Sequence, residues 1–213
     1  MSKLLSLFSI PYYKINIDKK LYNKSDIIKT IHYNYKINPN RNNWDSNSNL
    51  HHDNNDQDNK SFIKIDYSKL YPLYQKKIFD FLNKIINDKH KINFNFYVVN
   101  YTCMNTGQYM IQHDHIESDF TAVHYLNFNK KEHKSTAYKN THIFSNYLKL
   151  KNSSLNKKLN TNKILNSWVC DEYSIDVQED DFVIVPGCIP HNVPPFKNSK
   201  DLRITIVLNI NLE

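Results

Sequence analysis

Glycine is almost missing from this chain: Gly107 and Gly187 are its two glycines in 213 residues. In so glycine-poor a sequence each is expected where the backbone itself requires one. Arginine is as scarce, Arg41 and Arg203 standing against abundant lysine. The lysines are scattered, without an arginine cluster or a basic stripe interleaved with aromatics. The net charge of +7 therefore gives weak support to a nucleic-acid partner and fits a solvated surface better. Rich Asn, Lys, Ile and Tyr usage resembles that of an AT-rich genome, which weakens the charge argument further.

Three cysteines, Cys103, Cys170 and Cys188, lack CxxC spacing. That suggests neither a disulfide framework nor a zinc knuckle and points to a reducing cytoplasm, the host's if the chain is viral. Long apolar runs are missing too. Met1 to Ile10 is too short to span a bilayer and runs on without a small-residue cleavage site, so it reads as an opening strand. No membrane partner is expected, and no internal repeat is present.

What remains is a globular composition, 40% apolar and 13% aromatic, of a length that suits one domain over 1–213. Leu5 to Ile17 reads as strand, with Pro11 at a bend. Ser25 is placed to cap a helix carrying Ile27, Ile28 and Ile31. Asn38 to Lys60 is a long polar loop with Trp44 embedded, and its His51-His52 pair lacks metal-ligand spacing. From Leu70 to Ile86 the apolar residues follow a helical period. After about residue 90 the texture turns to short strands: Ile92 to Cys103, Tyr109 to His115, Phe120 to Phe128, Tyr173 to Val177, Phe182 to Val185 and Leu202 to Ile210. A strand-and-helix front (1–90) on a β-rich back (91–213) predicts a mainly β, jelly-roll type of fold. The polar, lysine-rich stretch of about 129–166 reads as an insertion in which His133 and His142 are solvated.

Three stretches carry chemistry. His113 and His115 are two residues apart on a predicted strand, where alternate side chains share a face. Tyr109 and Ile111 would join them, with Met110, Gln112 and Asp114 pointing away. His191 lies 78 positions after His113, past an apolar strand and the turn formers Pro186-Gly187. Arg203 opens the strand Ile204-Thr205-Ile206. An arginine there, in a lysine-biased chain, points to a need for its planar fork, which grips a carboxylate bidentately. Two imidazoles and a third ligand on one face leave open positions at non-haem iron.

These stretches resemble the 2-oxoglutarate/iron(II) oxygenase superfamily. The likeness is carried by GlyGlnTyrMetIleGlnHisAspHis, ThrAlaValHisTyrLeuAsnPhe, AspPheValIleValProGlyCysIleProHisAsnValProPro and ArgIleThrIleValLeuAsnIle. It extends to LeuPheSerIlePro and AsnAsnTrpAspSerAsnSerAsnLeuHis. The nearest likeness is to small phage and bacterial members whose first motif reads His-x-His, where prolyl hydroxylases have His-x-Asp. The resemblance implies a double-stranded β-helix with N-terminal helices packed on the sheet. It implies iron(II) and 2-oxoglutarate as cofactors and oxygen as cosubstrate. His113 and His191 would be iron ligands, and Arg203, with Thr205 and Tyr125, would bind the cosubstrate carboxylate. The acidic position holds His115, so the third ligand is His115, Glu117 or none, as in a halogenase-like or inactive relative.

The implied activity is hydroxylation of a C–H bond, with release of succinate and CO2. A protein side chain, a nucleobase and a small metabolite are all compatible substrates, to be selected by the two long polar segments. Two rivals stand beside this: a cupin-like metal protein without 2-oxoglutarate, and a non-catalytic β-sandwich binding module. Taken singly, Tyr125, Trp168 and Cys188 read as buried packing, and His124 as facing away from Tyr125.

Overall fold

The computed structural model describes residues 10–42, 44–54, 61–86, 92–141 and 172–213. Its strands are β1 (Tyr13–Asn16), β2 (His51–Asp53), β3 (Phe94–Met104), β4 (Met110–His113), β5 (Phe120–Asn127), β6 (Ala137–Lys139), β7 (Glu172–Ser174), β8 (Asp181–Pro186), β9 (His191–Val193) and β10 (Arg203–Leu212). Two helices, α1 (Lys24–Ile37) and α2 (Tyr71–Ile85), precede β3. Six strands form one sheet in the order β1-β8-β5-β10-β3-β2, and four form a second, β4-β9-β6-β7. Pairing between these strands is antiparallel throughout. The two sheets make the double-stranded β-helix.

Strand alternation sorts β10 between two environments. Ile204, Ile206, Leu208 and Ile210 enter the large core with Ile27 and Ile31 of α1 and Tyr74, Ile78, Phe81 and Leu82 of α2. Burying an aliphatic side chain of this kind is worth about 1.5–3 kcal/mol, so the helices are held by the back of the six-stranded sheet. Arg203, Thr205 and Val207 project from the opposite face into a cavity between the sheets. β5 and β8 split likewise: Ala122, Leu126, Phe182 and Ile184 go to the helices, and Val123, Tyr125, Val183 and Val185 to the interior.

His124 follows the helix-side parity, away from Tyr125, and anchors a buried polar network. Its Nδ1 is 2.8 Å from the Tyr74 hydroxyl, and its Nε2 lies 3.6 Å from Asp180. Asp180 also accepts from Tyr22 and pairs with Lys24 at 2.6 Å. Both helices are thereby tied to the turn before β8, far from the cavity.

Several expectations are corrected. Asn23, not Ser25, occupies the N-cap of α1, because the helix starts two residues earlier. The expected insertion at about 129–166 begins with core: β6 pairs with β7 and β9. His133 is buried rather than solvated, contacting Asn129, Ser199 and Asp201. Cys188 is exposed in the turn after β8, since that turn faces outward. The start of the Leu5–Ile17 strand, the rest of the 129–166 stretch, His142, Trp168 and Cys170 lie outside the described residues. Among the described residues no helix is long and apolar enough to cross a membrane.

Candidate active site

Three histidines converge at one end of the cavity. His113 ends β4 and sits directly across from His191, the first residue of β9. Their ring centroids are 4.3 Å apart, and His115 stands 5.4 Å from each. One ligand nitrogen from each falls within 4.8 Å of the others. Among the described residues this is the one such group of histidine, cysteine and carboxylate side chains, and neither Asp114 nor Glu117 belongs to it.

The route to this arrangement differs from simple strand alternation. β4 stops at His113, and its register with β9 is irregular between Met110 and His113. A bulge re-aims side chains, so Met110, expected to point away, lines the cavity with His113. His115 lies past the strand in a turn, where period-2 parity no longer holds, and Asp114 also reaches the cavity wall. The turn is held by Gly187: the His115 N–H donates to the Gly187 carbonyl at 2.8 Å, and the Gly187 N–H donates to Asp119 at 3.0 Å.

A Cβ at position 187 would meet the Ser118 carbonyl oxygen at 2.2 Å and that of His115 at 2.6 Å, both backbone atoms. Gly187→Ala must therefore push the His115 turn off the β8–β9 turn. A loss of about 1–3 kcal/mol is expected from such overpacking, together with altered His115 imidazole resonances. Urea titration and NMR check this; wild-type stability with an unmoved His115 would show that the turn has slack.

Burial and backbone hydrogen bonds favour the neutral imidazoles. Nδ1–H of His113 donates to the Ile111 carbonyl at 3.0 Å, and Nδ1–H of His191 to the Ile189 carbonyl at 2.9 Å. Each ring thus has its tautomer fixed, with the Nε2 lone pair free for a metal. Burial lowers the pKa of all three. For His191 it falls to about 3 and for His115 to about 4, with neighbouring His113 adding to the effect in both.

At the other end of the cavity lies Arg203, 1% exposed. Its Nε donates to the Lys134 carbonyl at 2.9 Å, but Nη1 finds only the Met104 sulfur at 3.8 Å and Nη2 the Thr136 hydroxyl at 3.4 Å. No carboxylate pairs with it among the described residues. Thr205 shares a 2.7 Å hydrogen bond with Thr102. Tyr125, fully buried, lies under the guanidinium at 5.5 Å and donates its hydroxyl to Thr136. Between Arg203 and the histidines the cavity holds about 480 Å³, walled by Val123, Val193 and Val207.

Residues 99–209, more than half of the chain, match the family described as "Putative 2OG-Fe(II) oxygenase". The chain belongs to this oxygenase family. Its cofactors are iron(II) and 2-oxoglutarate, and the donor set fits them: neutral imidazoles for the metal, and a buried fork without an acidic partner among the described residues for a dicarboxylate. No curated protein matches the sequence. Among solved structures, a Pseudomonas putida prolyl-4-hydroxylase is similar at 9% identity and TM-score 0.55, over 95% of this oxygenase and 94% of that chain. A Trichoplax adhaerens prolyl hydroxylase, solved with a hypoxia-inducible-factor peptide, is similar at 13% identity and TM-score 0.53, over 94% and 83%. A carbocyclase of nogalamycin biosynthesis reaches 0.52 at 10% identity, over 96% and 80%. At these identities the likeness is one of fold.

Sequence reasoning missed four features of the oxygenase cavity. Trp44, exposed at the mouth, sets its edge against His113 at 4.5 Å and stacks on His52 at 5.7 Å. His52 itself lines the wall, whereas its neighbour His51 turns away toward Tyr101 and the Asn38 carbonyl. Thr136, just before β6, lines the wall as well, and Tyr138 on β6 sets its ring 5.5 Å from His191. A tryptophan inside a polar loop was the available signal for the first; β6 gave none in its lysine-rich surroundings.

Proposed function

We propose that His113, His115 and His191 hold iron(II), that Arg203, Thr205 and Tyr125 hold 2-oxoglutarate, and that the enzyme hydroxylates a C–H bond of a substrate entering past Trp44. The observation that carries this reading is the cavity itself, with three neutral imidazoles at one end and, at the other, a buried guanidinium that no carboxylate among the described residues pairs with. Bound together, iron(II), 2-oxoglutarate and O2 place one oxygen atom in the substrate C–H bond and the other in succinate, with loss of CO2. Arg203 fixes the distal carboxylate, and Thr205 and Tyr125 limit how it can turn. The three histidines set the metal at the opposite end, and the valine walls keep water from the reacting atoms. Residues 1–213 are one oxygenase domain in this reading, supported by the helices packing on the sheet that carries Arg203.

The substrate is a protein side chain, a nucleobase or a small metabolite, taken up against Trp44, His52, Tyr97 and Asp114 at the mouth. The peptide bound by the Trichoplax enzyme favours a protein side chain. Unpaired thiols at Cys103 and Cys188 support a cytoplasmic setting.

Anaerobic titration of iron(II) and then 2-oxoglutarate, followed by the charge-transfer absorption of the chelate, tests the metal assignments. Structural zinc sites gain roughly 10–16 kcal/mol from four ligands, about 2.5–4 kcal/mol each. On that scale His113→Ala and His115→Ala are expected to weaken iron(II) by about a hundredfold or more and to lose the band, while Glu117→Ala keeps it. Loss in Glu117→Ala with retention in His115→Ala would make Glu117 the third ligand, and retention in both would leave the position vacant. A three-imidazole set also favours a cupin-type metal protein. Tight iron(II) binding without any response to 2-oxoglutarate would select that reading, and no iron(II) binding would select a non-catalytic module.

A further inference from the structure

One buried polar group beside the cavity is left unexplained by the roles above. Tyr138 is 7% exposed, and its hydroxyl is buried without a hydrogen-bond partner. An orphaned buried hydroxyl costs about 1–3 kcal/mol and calls for a partner supplied from elsewhere. Tyr138 lies in the middle of β6, and Thr136, two residues before it, leads into the strand; at that spacing extended residues set their side chains to the same side. Thr136 receives Arg203 Nη2 and the Tyr125 hydroxyl. Tyr138 is in register with His191, and its ring lies 5.5 Å from that imidazole. This face of β6 therefore runs from the guanidinium to the proposed metal ligand.

The cavity that holds Arg203, Thr136 and His191 on its wall runs beside that face. We infer that the Tyr138 hydroxyl donates to the distal carboxylate of 2-oxoglutarate, completing a cradle with Arg203, Thr205 and Tyr125. Toward an anion, the Tyr138 phenol can only donate. Its second neighbour, Arg203, is a donor as well and cannot satisfy it, whereas a carboxylate satisfies both. The inference rests on the proposed cosubstrate site and adds a residue outside the four sequence motifs that defined it.

Tyr138→Phe removes the hydroxyl and keeps the ring. Anaerobic titrations on the iron(II)-loaded full chain would compare 2-oxoglutarate with 2-oxopentanoate, which carries a methyl group in place of the distal carboxylate. In Tyr138→Phe, 2-oxoglutarate affinity is expected to fall about tenfold to a hundredfold, as for a hydrogen bond to a charged group. Affinity for 2-oxopentanoate and for iron(II) should stay as in wild type. The melting temperature of the metal-free variant should match or exceed that of wild type, because an orphaned group is gone. Equal 2-oxoglutarate affinity in variant and wild type overturns the inference and leaves the proposed function standing. Equal weakening of both oxoacids, or a loss of iron(II) affinity, also overturns it, by making the hydroxyl structural. A wild type that binds iron(II) but neither oxoacid removes the proposed function and this inference with it.

Discussion

Arg203→Ala is expected to abolish useful 2-oxoglutarate binding while leaving iron(II) affinity intact. The guanidinium is buried and commits only Nε to a good acceptor, the Lys134 carbonyl. Its two terminal nitrogens meet a thioether at 3.8 Å and a hydroxyl at 3.4 Å, partners that satisfy a cation poorly. A carboxylate docked there would receive both, in the planar geometry that arginine offers and lysine cannot reproduce. Truncating one side of a desolvated charge pair costs about 3–5 kcal/mol, which is roughly two to nearly four orders of magnitude in the dissociation constant. Arg203→Lys keeps the charge, loses the fork and should fall between. The metal-free Arg203→Ala protein should be at least as stable as wild type, since a buried cation without an acidic partner among the described residues has been removed. Calorimetric titration with 2-oxoglutarate, beside a urea melt of the metal-free chain, separates these effects. Unchanged cosubstrate affinity would sink the role of Arg203.

That this residue could be singled out from sequence has a specific cause. In β10 the alternation of Ile204, Ile206, Leu208 and Ile210 with Arg203, Thr205 and Val207 assigns each side chain to a face before any partner is known. An arginine inside that alternation, where the chain otherwise uses lysine, is then conspicuous. The spacing of Tyr74, Ile78, Phe81 and Leu82 makes α2 legible by the same logic at a helical period. β6 was not legible. It is three residues long and lies in the run Lys130-Lys131-Glu132-His133-Lys134, continued by Ser135-Thr136-Ala137-Tyr138-Lys139. Its membership of the sheet comes from pairing with β7 and β9, which are distant in sequence. The histidine pair was found by its spacing, yet the spacing misdescribed how it works. Parity along one strand would have sent Met110 and Asp114 outward. A register irregularity in β4 and a turn clamped by Gly187 instead bring both to the cavity wall with His113 and His115. Such features depend on which strands meet, and local pattern carries little information about that.

The metal-free protein is expected to lose stability steeply as pH falls from about 6.5 toward 4. Each of the described histidines, His32, His51, His52, His113, His115, His124, His133 and His191, has its pKa lowered, with burial the first cause in every case. In the unfolded chain these groups take up protons near pH 6.5, whereas the folded protein keeps them neutral further down. Below pH 6.5 the unfolded state thus binds more protons, and stability must fall with pH. The contribution is complete above 6.5 and drains away down to the folded values, about 4 for His52 and about 3 for His191. Those two are 7% and 4% exposed, so solvent screening does little to soften them. Each such histidine contributes a slope of up to about 1.4 kcal/mol per pH unit. The pair alone removes about 3 kcal/mol between pH 5.5 and 4.5, a large part of the roughly 5–15 kcal/mol that stabilises a domain. Urea midpoints measured at pH 7, 6, 5 and 4.5 should fall progressively, and His191→Gln should reduce the slope by about one histidine's share. A flat profile between pH 7 and 5 would mean that these rings are hydrated in the folded protein. The same protons compete with a metal for His113, His115 and His191, because a protonated imidazole has no lone pair to offer. Saturating iron(II) should therefore shift the acid transition to lower pH, and His115→Ala should shrink that shift while Glu117→Ala leaves it unchanged.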